Sequence, residues 1–117
     1  MKKAYIPIIT RGESAVVYLE DILYIFQYYR KVSIHTKQKQ YVFYKKLDEI
    51  MSCFTEKNFF RCHKGCLINM EKVISMSDCI VTFEDGIQLS LGRTSYSNAR
   101  RNYTQYILEE KDDPQCN

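Results

Sequence analysis

The stretch Asn58-Phe59-Phe60-Arg61-Cys62-His63-Lys64-Gly65-Cys66-Leu67-Ile68-Asn69 sets charged and ring-bearing residues between two apolar flanks of strand-like composition. Side chains alternate across a strand, so Phe60, Cys62 and Lys64 are expected on one face and Phe59, Arg61 and His63 on the other. A break in the ladder near Lys64-Gly65 is then needed to present His63 and Lys64 together. Gly65 supplies it, because a residue without Cβ accepts a bulge or a turn at no steric cost. The stretch therefore reads as strand, exposed basic corner, strand. A polar cluster held by a rigid scaffold is a contact site.

The same alternation continues upstream. Tyr5 to Thr10 and Ala15 to Tyr18 flank the turn Arg11-Gly12-Glu13-Ser14, and Pro7, which cannot donate a ladder hydrogen bond, puts the first strand at an edge. After the short turn Glu20-Asp21 a strand begins at Ile22 and runs to Gln27. Tyr28-Tyr29-Arg30-Lys31 interrupts it with two phenols and two cations, a composition that belongs at the surface. Val32, Ile34 and Thr36 resume the alternation, Lys37-Gln38-Lys39 turns, and Gln40 to Tyr44 completes a hairpin. His35, opposite Val32 and Ile34, reads as a solvent-facing strand residue.

Downstream, Asp85-Gly86 lies between alternating segments within Ile80 to Leu91, the signal for a hairpin with a type I′ turn. Two helices are expected. Leu47, Ile50, Met51 and Phe54 fall at i, i+3, i+4 and i+7 and form one apolar stripe, which predicts a core-packing helix from Lys45 to about Phe54. The second runs from Ser95 to about Leu108, capped by Thr94 or Ser95, with Tyr96, Ala99, Tyr103, Tyr106 and Ile107 inward. Arg93 falls where a strand ends and a helix N-terminus begins, a place suited to phosphate.

Composition narrows the function. The 117 residues make one domain, and ten Tyr and six Phe with no Trp favour strands. No apolar run is long enough to cross a bilayer, and Met1-Lys2-Lys3-Ala4 leads into Pro7 rather than a signal-peptide core, so a soluble, cytoplasmic protein is expected. Five irregularly spaced Cys argue for reduced thiols rather than a secreted disulfide framework. Cys62, His63 and Cys66 are the one candidate zinc group. Cys62 and His63 face opposite ways on a strand and no second ligand pair follows, so neither metal nor cofactor is expected. Asp48-Glu49 reads as a solvated pair. With no phosphate-binding Gly loop and no nucleophile placed by a motif, the chain is not expected to be an enzyme. Residues 1 to 108 carry 16 basic against ten acidic groups, and this net +6 suits a polyanion; 109–117 reads as an acidic, disordered tail.

In this order the pieces resemble the LytTR DNA-binding domain of bacterial transcription regulators, over residues 1 to 108 with the motifs spread between 4 and 108. Leu19-Glu20-Asp21-Ile22-Leu23-Tyr24-Ile25 looks like the family's early strand-entry motif. Phe59 to Lys64, through Ile68-Asn69, is similar to its central Phe-Arg-x-His signature with the downstream Asn. The Asp85-Gly86 hairpin ending in Leu91-Gly92-Arg93 stands where the family has its final hairpin and Ser-Arg. Gly65 and Cys66 depart from the usual hydroxyl and aromatic residues, and Gly92 from the usual Ser.

The resemblance implies a mainly β fold: an elongated arrangement of small antiparallel sheets, LytTR-like, with two short helices. It implies loops that read successive major grooves of bent double-stranded DNA, often at paired repeat sites, with a homodimer on DNA one arrangement that fits. Carried over by position, the DNA-contacting residues are Arg30 and Lys31 in the first loop, His63 and Lys64 in the second, and Arg93 and Thr94 in the third. The length leaves no room for the family's receiver domain, so the chain reads as a transcriptional regulator lacking one, either stand-alone or excised. The alternative is a protein-interaction module of the same fold that sequesters a related regulator.

Overall fold

Ile22, Leu23, Tyr24 and Ile25 are all buried, and only a strand covered on both faces can hide four consecutive side chains. They form the first half of β3 (Ile22–Tyr28), the middle strand of a five-stranded antiparallel sheet. Its partners are β4 (Lys31–Thr36), β5 (Gln40–Tyr44), β6 (Phe59–His63) and β7 (Cys66–Asn69), in the order β5-β4-β3-β7-β6. The computed structural model describes residues 3–109. Strands β1 (Tyr5–Ile9) and β2 (Ser14–Tyr18) pair as a separate hairpin, and β8 (Val73–Ser77), β9 (Ile80–Phe83) and β10 (Gln88–Ser90) form a third sheet in the order β10-β9-β8. The fold is mainly β, built from small antiparallel sheets, and its extents of 51 × 37 × 25 Å make it elongated.

Each face of the central sheet closes its own core. On one side Ile22, Ile25, Val32, Ile34 and Leu67 meet Ile6, Ile8 and Val17 of the β1–β2 hairpin together with Leu47, Ile50 and Phe54. On the other side Leu23, Tyr24, Cys62, Cys66 and Ile68 meet Val73, Val81, Phe83 and Ala99. A register shift between Ile22 and Tyr24 lets Leu23 and Tyr24 turn to the same face. Phe59 packs on the first core and Phe60 and Cys62 on the second, in the alternation read from the sequence.

The helices differ from their expected bounds. The first is one turn, α1 (Leu47–Ile50), tightened into a 3₁₀ turn over Met51–Cys53, although Leu47, Ile50 and Phe54 are buried as their spacing requires. The second, α2 (Arg93–Glu109), begins two residues earlier than expected, because the Tyr96 amide already bonds the Gly92 carbonyl at 2.8 Å. Neither Thr94 nor Ser95 caps it: both lie inside the first turn. Ala99, Tyr103 and Tyr106 pack on the second core, and the Tyr103 hydroxyl donates to the Val73 carbonyl at 2.9 Å. Glu109 is the last described residue of this helix; residues 110–117, where the rest of the expected acidic tail falls, lie outside the described residues.

Three further readings are corrected. Strand β8 has no counterpart among the segments expected from sequence. The Asp85-Gly86 hairpin forms, with both residues at positive φ (67° and 79°), but its loop has three residues, because the Phe83 amide bonds the Ile87 carbonyl at 2.7 Å. His35 does not face solvent. It is half-buried, stacked on Tyr24 at 4.2 Å, and its Nε2 meets the Ser33 hydroxyl at 3.0 Å. Tyr24 in turn stacks on Phe83 at 5.4 Å, so this polar face of β4 is covered by the third sheet. Burial lowers the His35 pKa.

Candidate nucleic-acid interface

Two hairpin turns leave the same end of the central sheet. Tyr28 pairs with Lys31, so Tyr29 and Arg30 form the β3–β4 turn. Phe26 of the same strand pairs with Cys66 on its other side, which brings the β6–β7 turn, Lys64-Gly65, alongside. The Gln27 amide donates to the Gly65 carbonyl at 2.7 Å and extends the ladder to the turn itself. Arg30, His63 and Lys64 are exposed here, and Lys31 lies over the Tyr44 ring at 5.3 Å, a cation–π contact that leaves its charge at the surface.

The break that presents His63 and Lys64 together lies earlier than Gly65. The β6–β7 register shifts between Arg61 and His63, so Cys62 is the bulged residue, its thiol tucked toward the Cys66 carbonyl at 3.8 Å. The Cys66 thiol is pushed well above its ordinary pKa by its hydrogen bond with Cys62 and by burial. Cys62 is buried while His63 is exposed, so the two do not converge on a common ligand. Among the described residues no three His, Cys, Asp or Glu side chains gather as a metal site. Gly65 serves close approach instead: a Cβ there would meet the Gln27 carbonyl oxygen at 3.3 Å.

Several bonds fix this corner. The Gly65 amide donates to His63 Nδ1 at 3.0 Å, so in the neutral ring the proton belongs on Nε2, and His63 offers an N–H outward. Arg61 donates through Nε to the Lys64 carbonyl at 3.0 Å, and a second guanidinium nitrogen reaches the same oxygen. Its Nη1 pairs with Asp48 Oδ1 at 2.7 Å, which holds the Asp48 carboxyl below the usual carboxylate range. Asp48 and Glu49 both stay exposed, as expected, and each also holds a partner. Asp48 anchors the guanidinium that grips the turn, and Glu49 Oε1 accepts the Lys46 amide at 2.8 Å to cap α1.

The third corner stands apart. The Leu91 amide donates to the Cys79 carbonyl at 2.9 Å, which ties the exit of β10 to the β8–β9 turn before α2 begins. Arg93 and Thr94 are exposed in the first turn of α2. Arg93 opens the helix, as expected from the sequence, but Leu91 and Gly92 separate it from the end of β10 at Ser90. The opposite end of the β9–β10 hairpin is pinned by Lys37, within 3.3 Å of Glu84 and 3.8 Å of Asp85. Lys37 belongs to the β4–β5 turn, the end of the central sheet away from the Tyr29 and Lys64 turns. The structure thus brings Arg30, Lys31, His63 and Lys64 together and leaves Arg93 and Thr94 on a separate sheet-to-helix junction.

Asn69 is structural. It is fully buried, donates to the Ile22 carbonyl at 2.8 Å, and accepts from Asn58 at 2.7 Å and from the Glu71 amide at 3.1 Å. The braces Gln27, Arg61 and Asp48 escaped the sequence reading, because each is a single polar residue whose partners lie in other elements.

The profile of the LytTr DNA-binding domain matches residues 12–104. The chain belongs to the LytTR DNA-binding domain family. Among solved structures it is similar to the LytTr DNA-binding domain of a response regulator from Bacillus cereus, at 15% identity and a TM-score of 0.70, over 88% of this chain and 98% of that one. That likeness supports the fold. The comparison with curated proteins finds no significant match. No helix among the described residues is long and apolar enough to cross a membrane.

Proposed function

We propose that this LytTR domain acts as a sequence-specific, double-stranded DNA-binding transcriptional regulator whose turns enter successive major grooves. The observation that carries the reading is the pairing of β3 with both β4 and β7, which gives one sheet end two adjacent cationic turns. Arg30 and Arg93 suit base edges, where a guanidinium bonds guanine O6 and N7 bidentately. His63, with its outward N–H, suits an acceptor on guanine or a phosphate oxygen. Lys64 and Lys31 supply phosphate charge, and Thr94 a hydroxyl beside Arg93. Arg93 lies at the other junction, so contact from both places suits two grooves of one bent duplex and, with a second copy, paired repeats. The setting of such a protein is the bacterial cytoplasm.

Selection of bound sites from random duplex DNA tests this. A recovered consensus, bound with an affinity that falls steeply with salt as counterions compete, supports it. Recovery of no consensus, with binding that ignores salt, would reject DNA reading in favour of the interaction module that sequesters a related regulator.

A further inference from the structure

Gln27 is half-buried near the end of β3, the middle strand of the sheet, and contacts three pieces of backbone that belong to different elements. Its main-chain amide bonds the Gly65 carbonyl at 2.7 Å, its side-chain Oε1 accepts the Leu47 amide at 2.7 Å, and its Nε2 donates to the Tyr29 carbonyl at 2.9 Å. The first bond belongs to the His63–Gly65 turn, the second to the start of α1, the third to the Tyr29–Arg30 turn. A side-chain amide offers an acceptor and a donor on one carbon without charge, which is what this position uses.

Each bond falls where the backbone needs holding. Tyr29 has φ 59°, a left-handed conformation that costs a residue with a side chain roughly 1 kcal/mol. The Leu47 amide is an orphan donor of a one-turn helix whose N-cap, Lys46, has no oxygen to offer it. Helix α1 then carries the Arg61–Asp48 pair, through which Arg61 holds the Lys64 carbonyl. The contacts form a closed path from the first turn through Gln27, α1, Asp48 and Arg61 to the second turn and back to Gln27.

We infer that Gln27 is a positioning residue that locks the Tyr29–Arg30 and Lys64–Gly65 turns into one preformed DNA-contacting unit. The inference rests on the DNA-binding reading above. Its main-chain bond to Gly65 persists with any side chain at this position; the side chain acts through Tyr29 and through Leu47 of α1, removing freedom that the two turns would otherwise lose on binding. Its loss lowers affinity without changing the number of phosphates neutralised, and its effect overlaps with that of the turn it holds.

The test uses Gln27→Met, a neutral side chain of similar length without hydrogen bonds, in the full chain. The probe is the duplex that the wild-type protein selects from random DNA. Affinity is expected to fall about tenfold, the value of one or two groups newly immobilised on binding, with the slope of affinity against salt unchanged. In double-mutant cycles the loss is expected to be less than additive with Arg30→Ala and additive with Arg93→Ala. Amide spectra of the free variant should shift at Leu47, at Tyr29 to Lys31 and at Lys64-Gly65 together, while Arg93 stays in place. Wild-type affinity in Gln27→Met, or strict additivity with Arg30→Ala, overturns the inference and leaves DNA binding intact. Shifts confined to Leu47 also overturn it. A wild-type chain that selects no duplex overturns the DNA-binding reading itself, and this inference falls with it.

Discussion

The corner at His63–Gly65 and the junction at Arg93 carry the same kind of exposed cation on opposite kinds of support. The first is gripped by Arg61 at the Lys64 carbonyl, by Gln27 at the Gly65 carbonyl and by the Gly65 amide at His63. Among the described residues, the second is tied from Leu91 to Cys79 and then passes into a helix start in which no partner holds the Arg93 guanidinium. A braced turn suits a fixed pattern of donors, whereas an unbraced arginine suits one strong contact whose geometry the ligand completes. Substitution at the two places should therefore fail differently.

The largest effect is expected beneath the braced corner, at the other end of the same hairpin. Asn69→Ala leaves the Ile22 carbonyl and the Glu71 amide without their buried partner, and the cost expected is about 2–4 kcal/mol of unfolding free energy. Urea denaturation measures it. An unchanged midpoint would show that the hairpin is held from its turn alone, and the contrast between the two regions would lose its structural half.

Arg93→Ala is expected to cost about 1–3 kcal/mol in binding to the selected duplex, one bidentate base contact, with specificity falling alongside affinity and the melting temperature unchanged. Lys64→Ala is expected to weaken binding evenly across matched and scrambled duplexes and to make the salt dependence shallower by about one unit. The two profiles come from a planar fork on one side and a flexible point charge on the other. If Arg93→Ala binds the matched duplex as tightly as wild type, Arg93 is a surface charge and the unbraced region reads nothing.

The legible parts of this chain were those set by short-range pattern. Alternation gave β1 to β7, apolar spacing gave the buried faces of α1 and α2, and the split of Phe59 and Phe60 between two cores followed from strand period alone. What escaped was set by tertiary contact. Val73–Ser77 mixes buried Val73 with exposed Ile74, and its strand exists because β9 pairs with it and Tyr103 caps its first carbonyl. His35 looked solvent-facing because the sheet that covers it lies far along the sequence. The six basic and hydroxyl residues of the candidate interface could be named from resemblance and charge, but the polar braces could not. Gln27, Arg61 and Asp48 are ordinary surface types until the turns they hold are known.

The smallest expected effect concerns pH and separates the two regions without DNA. Asp48 has its carboxyl pKa lowered by its hydrogen bond and charge pairing with Arg61, with weaker help from Lys64 and Lys46. A depressed folded-state pKa means that the contribution of this pair to stability is fully present above the unfolded value near 3.9. It is lost as pH falls through the lower folded value. The Asp48 carboxylate is exposed, so the global effect is small. Locally the guanidinium loses its anchor, and the Lys64 carbonyl loses a fixed donor. Acid titration followed by carboxyl and amide resonances should show Asp48 titrating below the ordinary range, with Lys64 and Gly65 following it and Arg93 unmoved. In Arg61→Ala the Asp48 midpoint should return to the ordinary range. If instead Lys64 and Gly65 hold their positions while Asp48 protonates, the grip of Arg61 on the turn does not depend on α1. The braced corner would then be a property of its own hairpin, and the contrast with Arg93 would narrow to the bond from Gln27.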